Sequence, residues 1–140
     1  MDDKTEDTTV LTDETRGQMR GLSKSLLRLH KILLDAERAR YERENGKVQS
    51  TGEMFRLVLD DPHFAWLRVL SGKIVVIDEF LGSKQPTDER DALEILAATR
   101  RLLLFEETDE NFNDKFQQTL LNNLEAAVNH NEALSFAAQK

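Results

Sequence analysis

A chain of 140 residues has the length of one domain and can bury a core without covalent staples. Hydrophobic residues at 39% and charged residues at 32%, with one Trp, one Tyr and two Pro, suit a helical protein and argue against a sandwich or barrel with many turns. With no cysteine, a disulfide framework, a thiol nucleophile and a thiolate metal site are all excluded, and a net charge of −7 opposes a nucleic-acid partner.

The charge is unevenly spread. Residues 1–15 carry six acids and one base, residues 16–47 nine bases and four acids, and residues 106–140 seven acids and two bases. A basic first helix and an acidic last segment therefore favour one another as neighbours, through a weak and salt-screened attraction. The start of the chain is polar and acidic. It lacks the basic, apolar pattern of a secretion signal, and a cytoplasmic protein is expected.

Residues 1–13 read as a disordered acidic tail, with few apolar residues and no periodicity. Residues 14–140 read as a single helical domain. From Glu14 to Asn45 the sequence predicts one long helix. Met19, Leu22, Leu26, Leu29, Leu33 and Ala36 alternate at spacings of three and four, the stripe of a packed helix. Leu27, Leu34 and Tyr41 recur every seven residues on a flank. Arg16, Arg20, Lys24, Arg28, Lys31 and Arg38 form a basic arc, read as a solvated face or one met by the acidic C-terminal region. Gly17 and Gly21 have the spacing of a close helix crossing. Their polar neighbours point instead to a fraying helix start. Asn45-Gly46 closes the helix with residues that tolerate left-handed backbone.

Ser50 and Glu53 have capping-box spacing ahead of a short helix through Met54, Phe55, Val58 and Leu59. Asp60-Asp61-Pro62 stops it and caps the next. Phe64–Leu81 is the most apolar segment, with Arg68, Gly72 and Glu79 as its polar strip. Its charges at Lys73, Asp78 and Glu79 leave no apolar run long enough to span a membrane. Lys73 lies on the greasy side, either snorkelling outward or pairing with an acid such as Asp78 or Asp35. Thr87 is placed to cap a fourth helix running to about Phe105. That helix is apolar on two sides, one of them Ile95, Ala98, Leu102 and Phe105. A helix apolar nearly all round is buried or meets a partner. A fifth helix is predicted from Thr108 or Asp109 to about Asn131, with Phe112, Phe116, Leu120, Leu124, Ala127 and Val128 as one stripe. A further turn through Leu134 and Phe136 follows it.

The expected fold is all-α: an antiparallel bundle of four main helices plus one short helix. Catalytic constellations are wanting. A di-iron bundle needs Glu-x-x-His pairs, yet no glutamate stands three residues before His30, His63 or His130. Asp60 precedes His63 only across a proline break, where capping accounts for it. Gly52, Gly72 and Gly82 stand alone and make no phosphate loop. No catalytic, cofactor or metal residue is therefore assigned.

Leu29-His30-Lys31, Leu33 to Arg38 with Tyr41-Glu42, and Phe55 to Leu59 with Asp61 to Arg68 resemble a group of small, functionally uncharacterised bacterial helical proteins. The resemblance spans about residues 22–80. It implies a bacterial cytosolic protein and carries no activity with it.

The expected function is thus a non-enzymatic interaction module, acting as a homodimer or on another protein. Its interface is expected at Ile95, Leu102 and Phe105, with Leu27, Leu34 and Tyr41. The alternative is a bundle that binds a small molecule in a pocket near Trp66, Lys73 and Tyr41.

Overall fold

The computed structural model describes residues 10–85 and 87–138. It is all-helical: α1 (Asp13–Asn45), α2 (Thr51–Asp60), a 3-10 turn (Pro62–Phe64), α3 (Leu67–Leu81), α4 (Glu89–Leu103), α5 (Glu110–Asn122) and α6 (Leu124–Ala137). Residues 10–13, expected in the tail, belong to the fold. Val10 forms an isolated bridge with Asp88, Leu11 is buried, and Thr12 caps α1 by accepting from the Thr15 N–H. Residues 1–9 lie outside the described residues.

The heptad stripe of α1 is the axis of the core. Met19, Leu22, Leu26, Leu29 and Leu33 are each fully buried. The α3 helix packs along one side of α1 and α6 along another. Both run antiparallel to it. On α3, Asp78 accepts from the Ser23 hydroxyl and Trp66, just before the helix, reaches Glu37. On α6, Glu132 meets Arg28 while the Phe136 carbonyl meets Gln18. The basic helix and the acidic last segment are indeed neighbours.

Small residues let α6 approach α1. Ala126, Ala133 and Ala137 face inward with no exposed area. A Cβ added at Gly21 would stand 2.3 Å from the Phe136 ring, whereas one at Gly17 would meet nothing within 4 Å. Gly21 is therefore a close crossing after all, not a fraying turn.

Three boundaries differ from those expected. Asp88, not Thr87, caps α4, accepting from the Arg90 N–H, while the Thr87 carbonyl accepts from Leu11. The predicted fifth helix splits at Asn123, whose extended backbone and side chain cap α6 through the Ala126 N–H. The register turns there, so Leu124 and Val128 point outward, 81% and 59% exposed, and alanines take the inner face. In α4, the two apolar sides largely merge into one inward arc of Ala92, Leu96, Thr99, Leu102 and Leu103.

The turn after α4 stores strain. Phe105 holds a left-handed φ of 63°, where glycine is usual, as the Glu106 N–H reaches back to the Arg101 carbonyl. Its ring compensates, standing edge-on to Phe116 and stacked on His130 at centroid distances of 5.3 and 5.6 Å. His130 in turn donates from Nε2 to the Leu103 carbonyl at 2.8 Å, which closes the end of α4.

Candidate functional site

The stripe of α1 ends in an acid. Glu37 follows Leu33 by four residues on the same face and is fully buried. Its Oε1 accepts from Trp66 Nε1 at 3.0 Å and from Arg40 at 2.8 Å, while its Oε2 is buried without a partner. The indole is enclosed by Phe112 and Phe116 at centroid distances of 6.1 and 6.4 Å. A buried carboxylate with one oxygen unsatisfied costs stability unless something offsets it.

Beside it, Asp61 caps the 3-10 turn and His63 ties that turn to α1. His63 Nδ1 lies 2.9 Å from Asp61 and Nε2 lies 3.2 Å from Glu44. Donation to Asp61 and then Glu44 raises the His63 pKa above its ordinary value. The ring also stands edge-on to Tyr41. With both nitrogens engaged, this imidazole has no lone pair aimed at a substrate and works as a latch.

The α2 helix is held mainly by its ends. Ser50 caps it through the Glu53 N–H, and Glu53 reaches back one residue further than a standard capping box, to the Gln49 N–H at 2.7 Å. Arg68 donates to the Val58 and Leu59 carbonyls at the other end. No residue of α2 is buried, and it packs chiefly on the 3-10 turn. Met54, Leu57 and Val58 lean on the core, but Phe55 and Leu59, one turn apart, are 66% and 51% exposed. Arg56 borders that pair and makes no ion pair within the described residues.

A second surface lies between α3 and α4. Lys73, Val76, Asp91, Glu94, Ile95, Ala98 and Thr99 line an open groove of about 280 Å³. Its floor is apolar and its α4 rim carries two carboxylates. Lys73 stays half-buried there without pairing. Asp78 bonds Ser23, and Asp35 pairs with Lys31 at 2.9 Å. Val75 and Val76 are about half exposed on α3.

The expected interface residues are not brought together. Leu102 is 1% exposed in the core, and Phe105, partly buried, stands against Phe116 and His130. Ile95 remains, as part of the groove floor. Leu27 is half exposed, Leu34 leans on the core, and Tyr41 packs on His63 and Phe64. The expected pocket does not form as one cavity. Trp66 is enclosed, Tyr41 covers the 3-10 turn, and Lys73 opens to the groove.

Sequence reasoning missed Glu37, although its place four residues after Leu33 marked it. It also missed the outward turn of Phe55 and Leu59 and the acidic rim of Asp91 and Glu94. No protein-family model, curated protein or solved structure matches this chain. Among the described residues, no group of three or more His, Asp or Glu side chains is placed to hold a metal ion, and no helix is long and apolar enough to cross a membrane.

Proposed function

We propose that this chain is a non-enzymatic interaction module of the bacterial cytoplasm, an antiparallel helical bundle that associates with itself through its outer helices. The observation that carries this reading is α2. A helix of ten residues that buries none of them is too short to be stable on its own. Its apolar outer edge at Phe55 and Leu59 gains where another surface covers it. Burying what those two side chains expose contributes roughly 1–2 kcal/mol each.

The histidines support the non-enzymatic part. His63 is a latch between two carboxylates and His130 closes α4. Burial holds the pKa of His30 below its ordinary value, which leaves a neutral, half-enclosed ring.

Light scattering coupled to gel filtration tests the reading. The expected mass at tens of micromolar is twice the 16.1 kDa of one chain. A monomer at that concentration removes it.

A further inference from the structure

We propose that α2 is a hinged flap, fastened to the end of α1 by His63, and that loss of the His63 proton lets it open. The movement takes place within one chain, so the inference stands apart from self-association.

Two fixed points bound the flap. Val48 is buried in the link after α1 and donates its N–H to Glu42 at 2.8 Å. Phe64, fully buried, ends the 3-10 turn. Between them no residue is buried, and α2 packs chiefly on the turn itself. A short helix with so few contacts opens at a lower free energy than the fold as a whole.

Beyond the lean of Met54, Leu57 and Val58, the flap is held by Glu42 on Val48, by Arg68 on the Val58 and Leu59 carbonyls, and by His63 between Asp61 and Glu44. Arginine keeps its charge throughout. The Val48 N–H holds the Glu42 carboxyl below the usual glutamate range. Both of these ties are therefore constant near neutral pH, and His63 is the one that changes state there.

A count of donors shows what that change does. Nδ1 lies 2.9 Å from Asp61 and Nε2 lies 3.2 Å from Glu44. An imidazolium donates from both nitrogens and a neutral imidazole from one. Asp61 stands two residues away and also accepts the His63 N–H at 2.8 Å, so its bond is local and survives in the Nδ1–H tautomer. The bond lost is the one to Glu44, which alone of the two reaches α1, and a lone pair then faces that carboxylate. Glu44 and Tyr41 of α1 and Asp61 of the turn face the ring, and among the described residues no charged group of α2 or α3 bonds it.

The sign follows. Asp61 and then Glu44 raise the proton affinity of the closed state. The fastening is complete below about pH 6.5 and is lost as pH rises through the closed-state value. Opening frees Met54, Leu57 and Val58 beside the already exposed Phe55 and Leu59, so that α2 presents apolar side chains on most of its surface.

Amide hydrogen exchange followed by NMR from about pH 5.5 to 8.5, corrected for the intrinsic pH dependence of exchange, reads the opening. Protection in α2 should fall about two- to fivefold across that range relative to α1 and α3, the size of one exposed charged bond, with the midpoint of the His63 ring. H63Q and E44Q should each flatten that dependence. Both side chains are partly exposed, at 33% and 58%, so the variants keep the fold, and unchanged protection in α3 verifies it. A wild-type α2 whose protection does not vary with pH overturns the flap. So does a fall that persists in both variants, an α2 that exchanges only with the whole fold, or one unprotected at either pH.

Discussion

The two ends of α1 treat a carboxylate in opposite ways. At the N-terminal end, Glu89 of α4 accepts from the Thr12 N–H at 2.9 Å and from the Thr15 hydroxyl at 2.6 Å. Both of its oxygens are engaged. At the C-terminal end, Glu37 takes two donors on one oxygen and leaves the other buried and bare. The first arrangement fastens the start of the helix to the body. The second leaves a costly group buried beside the Trp66 indole. What the difference teaches is that the N-terminal half of the fold is built for closure. The C-terminal end carries a buried penalty that the N-terminal end avoids.

The largest expected effect falls at that end. Arg40→Met leaves the Glu37 carboxyl buried with only the indole as donor. It should destabilise the fold by about 2–3 kcal/mol, at the low end for a broken buried pair because the Arg40 side chain is one quarter exposed. Changing Glu37 and Arg40 together to Met should cost less than the arginine change alone, since the orphaned Trp66 N–H is then the chief loss, about 1–3 kcal/mol. Urea unfolding of the two variants decides it. If the double variant is the less stable, the ion pair is a net stabiliser and the contrast between the ends disappears.

The other end sharpens the comparison. Glu89→Ala removes a cap shared by two elements and should cost about 1–2 kcal/mol. Partial burial raises the Glu89 pKa, but donation from Thr12 and Thr15 outweighs it and holds the value below the usual glutamate range. A depressed folded pKa gives stability that is present above the unfolded value and is lost as pH falls through the folded one. Glu89→Gln should therefore flatten the acid limb of a melting-temperature profile below about pH 4.5. An unchanged limb would place the acid sensitivity elsewhere.

His63 acts in the reverse sense and more weakly. Its hydrogen bonds to Asp61 and then Glu44 raise its folded pKa. The stability it brings is fully present below about pH 6.5 and is lost as pH rises through the folded value. The Glu44 side chain is 58% exposed, so the effect should stay under about 1 kcal/mol. Titration of the ring by NMR should give a midpoint above that of a free histidine, and Glu44→Gln should lower it. A midpoint at or below the free value would mean the latch does not form.

Features governed by local chemistry were legible. The stripe from Met19 to Leu33, the Ser50 cap and the left-handed Gly46 follow from spacing and backbone preference alone. The Asn123 break was not, because Phe116, Leu120 and Leu124 keep helical spacing straight through it. Leu102 was misplaced for a tertiary reason. A helix apolar on two sides does not say that α5 and α6 will fold over the second. The exposure of α2 was equally hidden, since periodicity reveals an apolar edge but not what covers it. The acids expected to pair with Lys73 are engaged instead by Ser23 and Lys31.

The smallest effect concerns two glycines one turn apart on α1. Gly17→Ala meets nothing within 4 Å and should stabilise the protein by about 0.5 kcal/mol, through helix propensity and a less flexible unfolded chain. Gly21→Ala has the same propensity gain, but its Cβ would stand 2.3 Å from the Phe136 ring. That ring lies in the last turn of α6 and is only half-buried, so it can swing aside at the expense of its contact with α1. Overpacking of this kind costs about 1 kcal/mol or more, which leaves a net loss near 0.5 kcal/mol. The two substitutions should therefore differ in sign, and the difference reports the α1–α6 seam alone. Repeating both in a Phe136→Ala background removes the obstruction and should bring them level. If they differ there too, helix position rather than close approach separates the two glycines, and the N-terminal half is less tightly closed than the caps around Glu89 indicate.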